Sequence, residues 1–394
     1  MKIFQIFFIV LSITFFALTN VSAKVIEGEL IIQLEKDVDG ELFVQHFKNH
    51  YHAPTLILVK HFSKKYRLFL LSFDPQLENQ EALMTALNKH RLIQLVSINS
   101  QATLREQEPN DPLFDNQVDM EVINASKVWE FTTGGTTALG DEIVVANLES
   151  SVHEDIKDNY WYNTGEIPND GIDNDENGYT DDFLGVNITE NNDVHPNRNH
   201  GTSVGGIIAA KGNNDIGVTG VNWDVKLMMV TSNLTKAEIV EGLTYVYDMR
   251  KKYNDTGGNA GAFVVAINTS FGFDNQKVED DPFNQVWCEV YEDLGSVGIL
   301  SASSTNNSLN TNIDLVGDMP TTCPSDFLIS VTDTNTQDQL EAAIGPIHVD
   351  LSAPGTGTFT IELTDDYGSF SSTSAAAPHV AGGIALLYSL PCEN

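Results

Sequence analysis

Two stretches of this 394-residue chain hold residue types that can do nucleophilic chemistry. In NHGTSVGG, His200 stands before Gly201 and a run of small residues that would let the start of a helix pack tightly against a sheet. In SSTSAAAPHVAGGIALL, Ser374 opens an Ala- and Gly-rich helix, where the macrodipole favours the negative charge that develops on an attacked substrate. Taken singly, Ser374 reads as an N-cap and His200 as a buried structural histidine. A third stretch, DGIDNDENGYTDD, spaces Asp173, Asp175, Asn177 and Asp181 or Asp182 as alternating oxygen donors, with Gly178 turning the chain after the third. That is the pattern of a calcium loop with a structural ion, against the alternative of a solvated acidic loop.

Such groups need a scaffold. Beyond residue 110, the apolar runs EIVVANL, VKLMMV, AFVVAINTS, GILSAS and FLISVT alternate with helical patterns, one opening at His200 and another being TKAEIVEGLTYVYDMRKK. Runs apolar throughout imply strands buried on both faces of a parallel sheet wrapped by helices, with reactive groups at the strands' carboxyl ends. From residue 25 to about 100 the order is strand, helix, strand, strand, helix, strand, with Asp39 and Pro75 near the helix starts. This is a ferredoxin-like βαββαβ module. The polar, aperiodic QATLREQEPNDPLFDN reads as a linker.

Charge follows the same division. Residues 24 to 107 carry equal numbers of basic and acidic residues, so all of the net negative charge of the chain falls on residues 108 to 394. That field weighs against nucleic acid or an anionic membrane as a partner. Residues 1–23 begin with Lys2, run apolar from Ile3 to Leu18 and end in the small-x-small sequence Val21, Ser22, Ala23. They read as a signal peptide, so the expectation is a secreted or extracytoplasmic protein without membrane attachment once the signal is removed. Export permits one disulfide among Cys288, Cys323 and Cys392. Of the three pairings, Cys288 with Cys323 is preferred, because the two flank the GILSASSTNN region.

Together, HGTSVGG and TSAAAPHVAG resemble the histidine and serine boxes of the subtilisin-like serine peptidases, the subtilases. The likeness extends through IVVANLESSV, AINTSFG, GILSASSTNN and VDLSAPG, and through an acidic insert, WYNTGEIPNDGIDNDENGYTDD, like that of secreted bacterial subtilases. The resemblance implies an α/β, parallel-sheet subtilisin-like catalytic domain over 108–394, preceded by a small α+β ferredoxin-like prodomain over 24–107 that acts as intramolecular inhibitor and folding aid. It implies a secreted serine endopeptidase acting on polypeptide substrates by acyl transfer. Ser374 would be the nucleophile, His200 the base, Asn307 the oxyanion-hole amide, with neighbouring Asn306 leaving the register open by one. Ser270, Phe271 and Gly272 would be the edge strand that pairs with substrate.

The third triad member departs from the family, which has Asp-Ser/Thr-Gly where this chain has Glu149, Ser150 and Ser151. Three residues are also missing after Val152, Ser372 replaces a glycine two before the nucleophile, and Asn147 puts an amide into a buried strand. An unpaired amide there would cost about 1–3 kcal/mol. The chain also ends about one turn past the serine helix, so the catalytic domain is expected to be C-terminally incomplete. These departures set a second expectation beside the first: a catalytically impaired or inactive subtilase fold, or a fragment. On that view Glu149→Asp would raise activity.

Overall fold

The computed structural model describes residues 24–101 and 107–390. The expected signal peptide and Cys392 lie outside the described residues. Among the described residues, no helix is long and apolar enough to cross a membrane. The chain divides into two compact units, Met1–Arg105 and Glu106–Asn394.

In the first unit, strands Lys24–Leu34, Ile57–Ser63, Leu68–Ser72 and Ile93–Gln101 form a sheet in the order second, third, first, fourth, with antiparallel pairings. This is the ferredoxin-like arrangement that the alternation predicts. Leu30, Ile32 and Leu34 share one face by the two-residue period of a strand, and they pack with Phe43, Phe47 and Leu87 from helices Gly40–His50 and Gln80–Asn88. Asp39 caps the first helix through the amide of Leu42. The second helix starts later than Pro75 implies, because Asn79 provides the cap through the amide of Ala82.

The second unit is built on a seven-stranded parallel sheet. Its order is Leu351–Pro354, Leu328–Thr334, Leu300–Ser304, Val264–Thr269, Val144–Asn147, Lys226–Thr231, Val186–Asn187. Strands Val144–Asn147 and Val264–Thr269 are buried at every position, as uninterrupted apolar runs predict. Alternate residues serve two cores. Val144 and Ala146 join Leu243, Tyr245 and Trp287 from helices Lys236–Thr256 and Pro282–Ser296 on one face. Ile143 and Val145 join Val204, Ile208, Ala376 and Ala377 from helices Asn199–Ala209 and Thr373–Tyr388 on the other. By the same alternation, Asn147 and Glu149 fall on the face of the histidine and serine helices.

Cys288, in helix Pro282–Ser296, is bonded to Cys323. The bridge closes a loop with a sequence separation of 35 across the strand Leu300–Ser304. Loop closure of that length removes about 3–4 kcal/mol of unfolded-state entropy. The Cys288→Ser, Cys323→Ser double variant is therefore expected to unfold at clearly lower urea concentration than the oxidised parent. Coincident urea curves would show that the loop is already restrained without the bridge.

Candidate active site

Glu149 lies two residues beyond the carboxyl end of strand Val144–Asn147, where a parallel sheet presents its side chains to a crevice. His200 sits at the second position of helix Asn199–Ala209. The His200 Nδ1–H donates to both carboxylate oxygens of Glu149, at 2.8 Å to Oε1 and 2.9 Å to Oε2. The carboxylate is almost wholly buried, at 5% side-chain exposure, whereas the imidazole is 43% exposed. Burial opposes charging of His200, but the hydrogen bond and the charge of Glu149 outweigh it, so its pKa is raised above the ordinary value. Phe370 meets the ring edge-on, with centroids 5.3 Å apart.

This contact depends on close backbone approach. A Cβ on Gly201 would stand 2.4 Å from the carbonyl oxygen of Ser150 and 2.7 Å from Cβ of Glu149, so only glycine lets the acid's loop lie against the helix start. The Ser150 hydroxyl ties the same loop to the carbonyl of Pro196, four residues before His200.

Ser374 occupies the second position of helix Thr373–Tyr388, embedded against the sheet by Ala375, Ala376, Ala377 and Ala381, all fully buried. Pro378 lies inside this helix and has no N–H, so the carbonyl of Ser374, four residues earlier, lacks its helical partner. It accepts the Ser270 hydroxyl instead, at 3.0 Å. The Ser374 hydroxyl in turn donates to the carbonyl of Ser270 at 3.2 Å. Among the described residues, no hydrogen bond joins Ser374 to His200.

Asn307 is brought to the serine helix and Asn306 is not. Asn307 Oδ1 accepts the amide of Thr373 at 3.2 Å and its hydroxyl at 2.6 Å, which leaves the Nδ2 amide free to donate. Asn306 is buried and turns its side-chain oxygen to the amide of Ser308. Ser270, Phe271 and Gly272, expected as the strand that pairs with substrate, continue strand Val264–Thr269 past its carboxyl end, beyond the register pairs on both of its sides.

Ser372 stands at φ 90°, ψ −178°, a region open to glycine and strained for any side chain. Ser151 does not share this problem: its φ is not positive, and its hydroxyl is hydrogen-bonded. Asn147, expected to be an unpaired amide, is paired at both ends, donating to Ser151 Oγ at 3.0 Å and accepting from Asn268 Nδ2 at 3.2 Å.

In the acidic insert the structure gathers Glu166, Asp173 and Asp175, with ligand oxygens within 4.8 Å of one another. Glu166 Oε1 accepts the amides of Asn174 and Asp175, while its Oε2 is buried without a partner. Burial first, then the charges of Asp175 and Asp173, push its pKa up. The other expected donors are engaged elsewhere. Asp182 accepts from Tyr245, Asn177 and Asn163, and burial pushes its pKa up to about 6. Asp181 accepts the amides of Asp170 and Gly171, and Asn177 Oδ1 that of Tyr179. Lys252 pairs with Asp175 at 3.1 Å. Glu166 escapes the alternating pattern because it lies in the preceding turn, whose Gly-Glu the chain folds back onto the loop.

Fold and site together define an α/β protein whose parallel sheet presents an acid–histidine pair and a helix-opening serine at one end. The chain belongs to the subtilase family, whose model matches residues 140–391. It is 30% identical over 263 residues to subtilisin-like protease 1 of Plasmodium berghei (strain Anka), covering 60% of this chain and 41% of that one. It is 25% identical to thermitase of Thermoactinomyces vulgaris, covering 71% of this chain and 85% of that one. The halolysin-like extracellular serine protease Nep of Natrialba magadii is 24% identical, over 71% of this chain and 45% of its own length. The matched region thus spans about two fifths of the Plasmodium relative. A solved protease of Pseudoalteromonas arctica PAMC 21717, 22% identical, shares the fold with a TM-score of 0.51, covering 71% of this chain and 87% of its own.

Ser372 yields a prediction. Strain of about 1–3 kcal/mol at its φ exceeds the roughly 0.5–1 kcal/mol that glycine costs through the unfolded chain. Ser372→Gly is expected to stabilise the protein by about 1 kcal/mol in urea unfolding. A loss of stability would show that the serine is not strained.

Proposed function

We propose that this chain is a secreted serine endopeptidase that hydrolyses peptide bonds through Ser374, His200 and Glu149, with glutamate in the place of the family's aspartate. The observation that carries this reading is the two-oxygen acceptance of the His200 Nδ1–H by a buried Glu149. That bond selects the tautomer with Nε2 free to take a proton. Ser374 Oγ leaves the long bond to Ser270 by rotation about its Cα–Cβ bond, gives its proton to His200 Nε2 and attacks the scissile carbonyl. The oxyanion meets Asn307 Nδ2 at the positive end of the serine helix. His200 then returns the proton to the leaving amine, and water repeats the sequence on the acyl-enzyme.

Residues 24–107, whose ferredoxin-like fold fits a family prodomain, act as the chain's own intramolecular inhibitor. Residues 1–23 direct export. A structural calcium ion fits the insert: three carboxylates converge, and Glu166 has a buried oxygen with no partner among the described residues. Glu166, Asp173 and Asp175 would hold it, neutralising charges that otherwise repel. Chelation is expected to lower the melting temperature, and Asp173→Asn with Asp175→Asn to abolish the difference. Identical melting curves with and without chelator would rule the ion out.

A fluorophosphonate should form a stoichiometric adduct on Ser374. A folded sample with no adduct would favour the inactive fold, the state in which the serine stays turned to Ser270. Glu149→Gln is expected to lower turnover toward 10⁴-fold, the order seen when the triad acid becomes an amide. Glu149→Asp should also lose activity, being one methylene too short to reach His200, and a gain would refute the adapted triad. Because His200 must be neutral to act as base and its pKa is raised, kcat/KM should fall on the acid side at a midpoint above about 6.5. Glu149→Gln should move that midpoint down.

A further inference from the structure

Two residues that break the family pattern, Asn147 and Ser151, are hydrogen-bonded to each other across the loop that carries Glu149. Asn147 Nδ2 donates to Ser151 Oγ at 3.0 Å, closing the chain from 147 to 151 with the acid at its midpoint. Ser151 Oγ then donates to the carbonyl of Gly201 at 2.7 Å, the residue after His200. On the other side, Asn147 Oδ1 accepts from Asn268 Nδ2, its register partner on the neighbouring strand. Asn268 also donates to Ser270 Oγ at 3.0 Å, and Ser270 Oγ donates to the carbonyl of Ser374. Two donor chains therefore start from two amides, join at Asn147, and end on the carbonyl beside the base and the carbonyl of the nucleophile. Asn147, Ser151 and Asn268 are fully buried and Ser270 nearly so, where such bonds are stiff and costly to break.

Room for this bridge is also made on the histidine helix. A Cβ on Gly205 would stand 2.3 Å from Ser151 Oγ, so the hydroxymethyl group occupies space that any larger residue at 205 would fill.

From this geometry we infer that Asn147 and Ser151 are positioning residues for Glu149, their bridge holding the acid's loop at the separation from His200 that a glutamate spans and an aspartate does not. The inference rests on the reading of Glu149 as the triad acid. Ser151→Ala removes the short bond to Gly201, leaving only the 3.5 Å one that Asn147 Nδ2 makes directly to the same carbonyl, and adds no bulk; Asn147→Leu removes the bonds to Ser151, Gly201 and Asn268 and leaves that of Ser151 to Gly201. Neither residue contacts substrate, so the loss should fall on kcat, by about 10- to 100-fold, with KM little changed, as for a small misplacement of a reacting group. Aspartate at 149 should become less damaging once the loop is released, so the effects of Glu149→Asp and Ser151→Ala should be strongly non-additive.

The deciding measurement is the titration of the His200 imidazole by NMR, in the full chain carrying Ser374→Ala to prevent self-digestion. Glu149 is the charged group that faces His200, so loosening their contact lowers the midpoint. Ser151→Ala is expected to lower it by a readable fraction of the shift produced by Glu149→Gln. An unchanged midpoint in a folded Ser151→Ala protein overturns the inference, whatever its turnover. Ser151→Ala, a small-to-small change, carries the test if Asn147→Leu does not fold. Absence of fluorophosphonate labelling in the parent would defeat the proposed function separately, since the midpoint reads the bridge without turnover.

Discussion

A carboxylate buried to 5% exposure must be partnered, and Glu149 has one partner that matters: the imidazole of His200, reached through both oxygens. Much of the second unit can be understood as what allows that contact. The acid sits past the end of a strand buried at every position, so its backbone cannot drift toward the base. His200 sits in the first turn of a helix whose buried small residues let it lie against the acid's loop, Gly201 taking the place of any side chain at the crossing. Gly201 and the sheet core are thus parts of one constraint, and a larger residue at 201 would separate acid from base before it unfolded anything.

The serine helix solves a related problem differently. Its apolar, Ala-rich face lies in the core, which fixes the axis, but the hydroxyl must remain able to turn. Pro378 releases the carbonyl of Ser374 from helical pairing and makes it available to Ser270, so the backbone of Ser374 is anchored to the strand extension rather than to its own helix. Asn307 is held at the start of the same helix by Thr373, while the Ser374 hydroxyl has a single long hydrogen bond of its own.

Sequence reasoning reached the fold and the boxes because both are written in local patterns. Fully apolar runs specify doubly covered strands, and two-residue alternation specifies the antiparallel sheet of the first unit. What escaped was whatever depends on register or on chain reversal. That Asn147 lies opposite Asn268 follows from the pairing of strands more than a hundred residues apart, so the amide reads from sequence as an unpaired liability. Glu166 joins Asp173 and Asp175 only because its turn folds back onto the loop, capping two of the loop's amides, and no spacing rule brings it in. Asp182 has the right spacing for a cation ligand, yet a tyrosine and two asparagines already hold it.

The departures gathered around Glu149 are not of one kind, and the difference bears on how this site came to be. Ser372 is a change of another kind: a side chain at φ 90° for whose hydroxyl no hydrogen bond is found among the described residues. Asn147 and Ser151 are compensated, by each other, by Asn268, by the carbonyl of Gly201 and by the space at Gly205. Random loss of constraint scatters polar atoms into a core without partners, and the usual outcome is orphaned amides and hydroxyls. Here the substituted amide and hydroxyl complete donor chains that end on the carbonyls of Gly201 and Ser374. The loop that carries Glu149 lies against the start of the histidine helix at Gly201, and the paired residues at 147 and 151 tie it there. Asn147, Glu149 and Ser151 thus belong to one hydrogen-bonded loop, in which the residues on either side of the acid partner each other rather than standing unpaired.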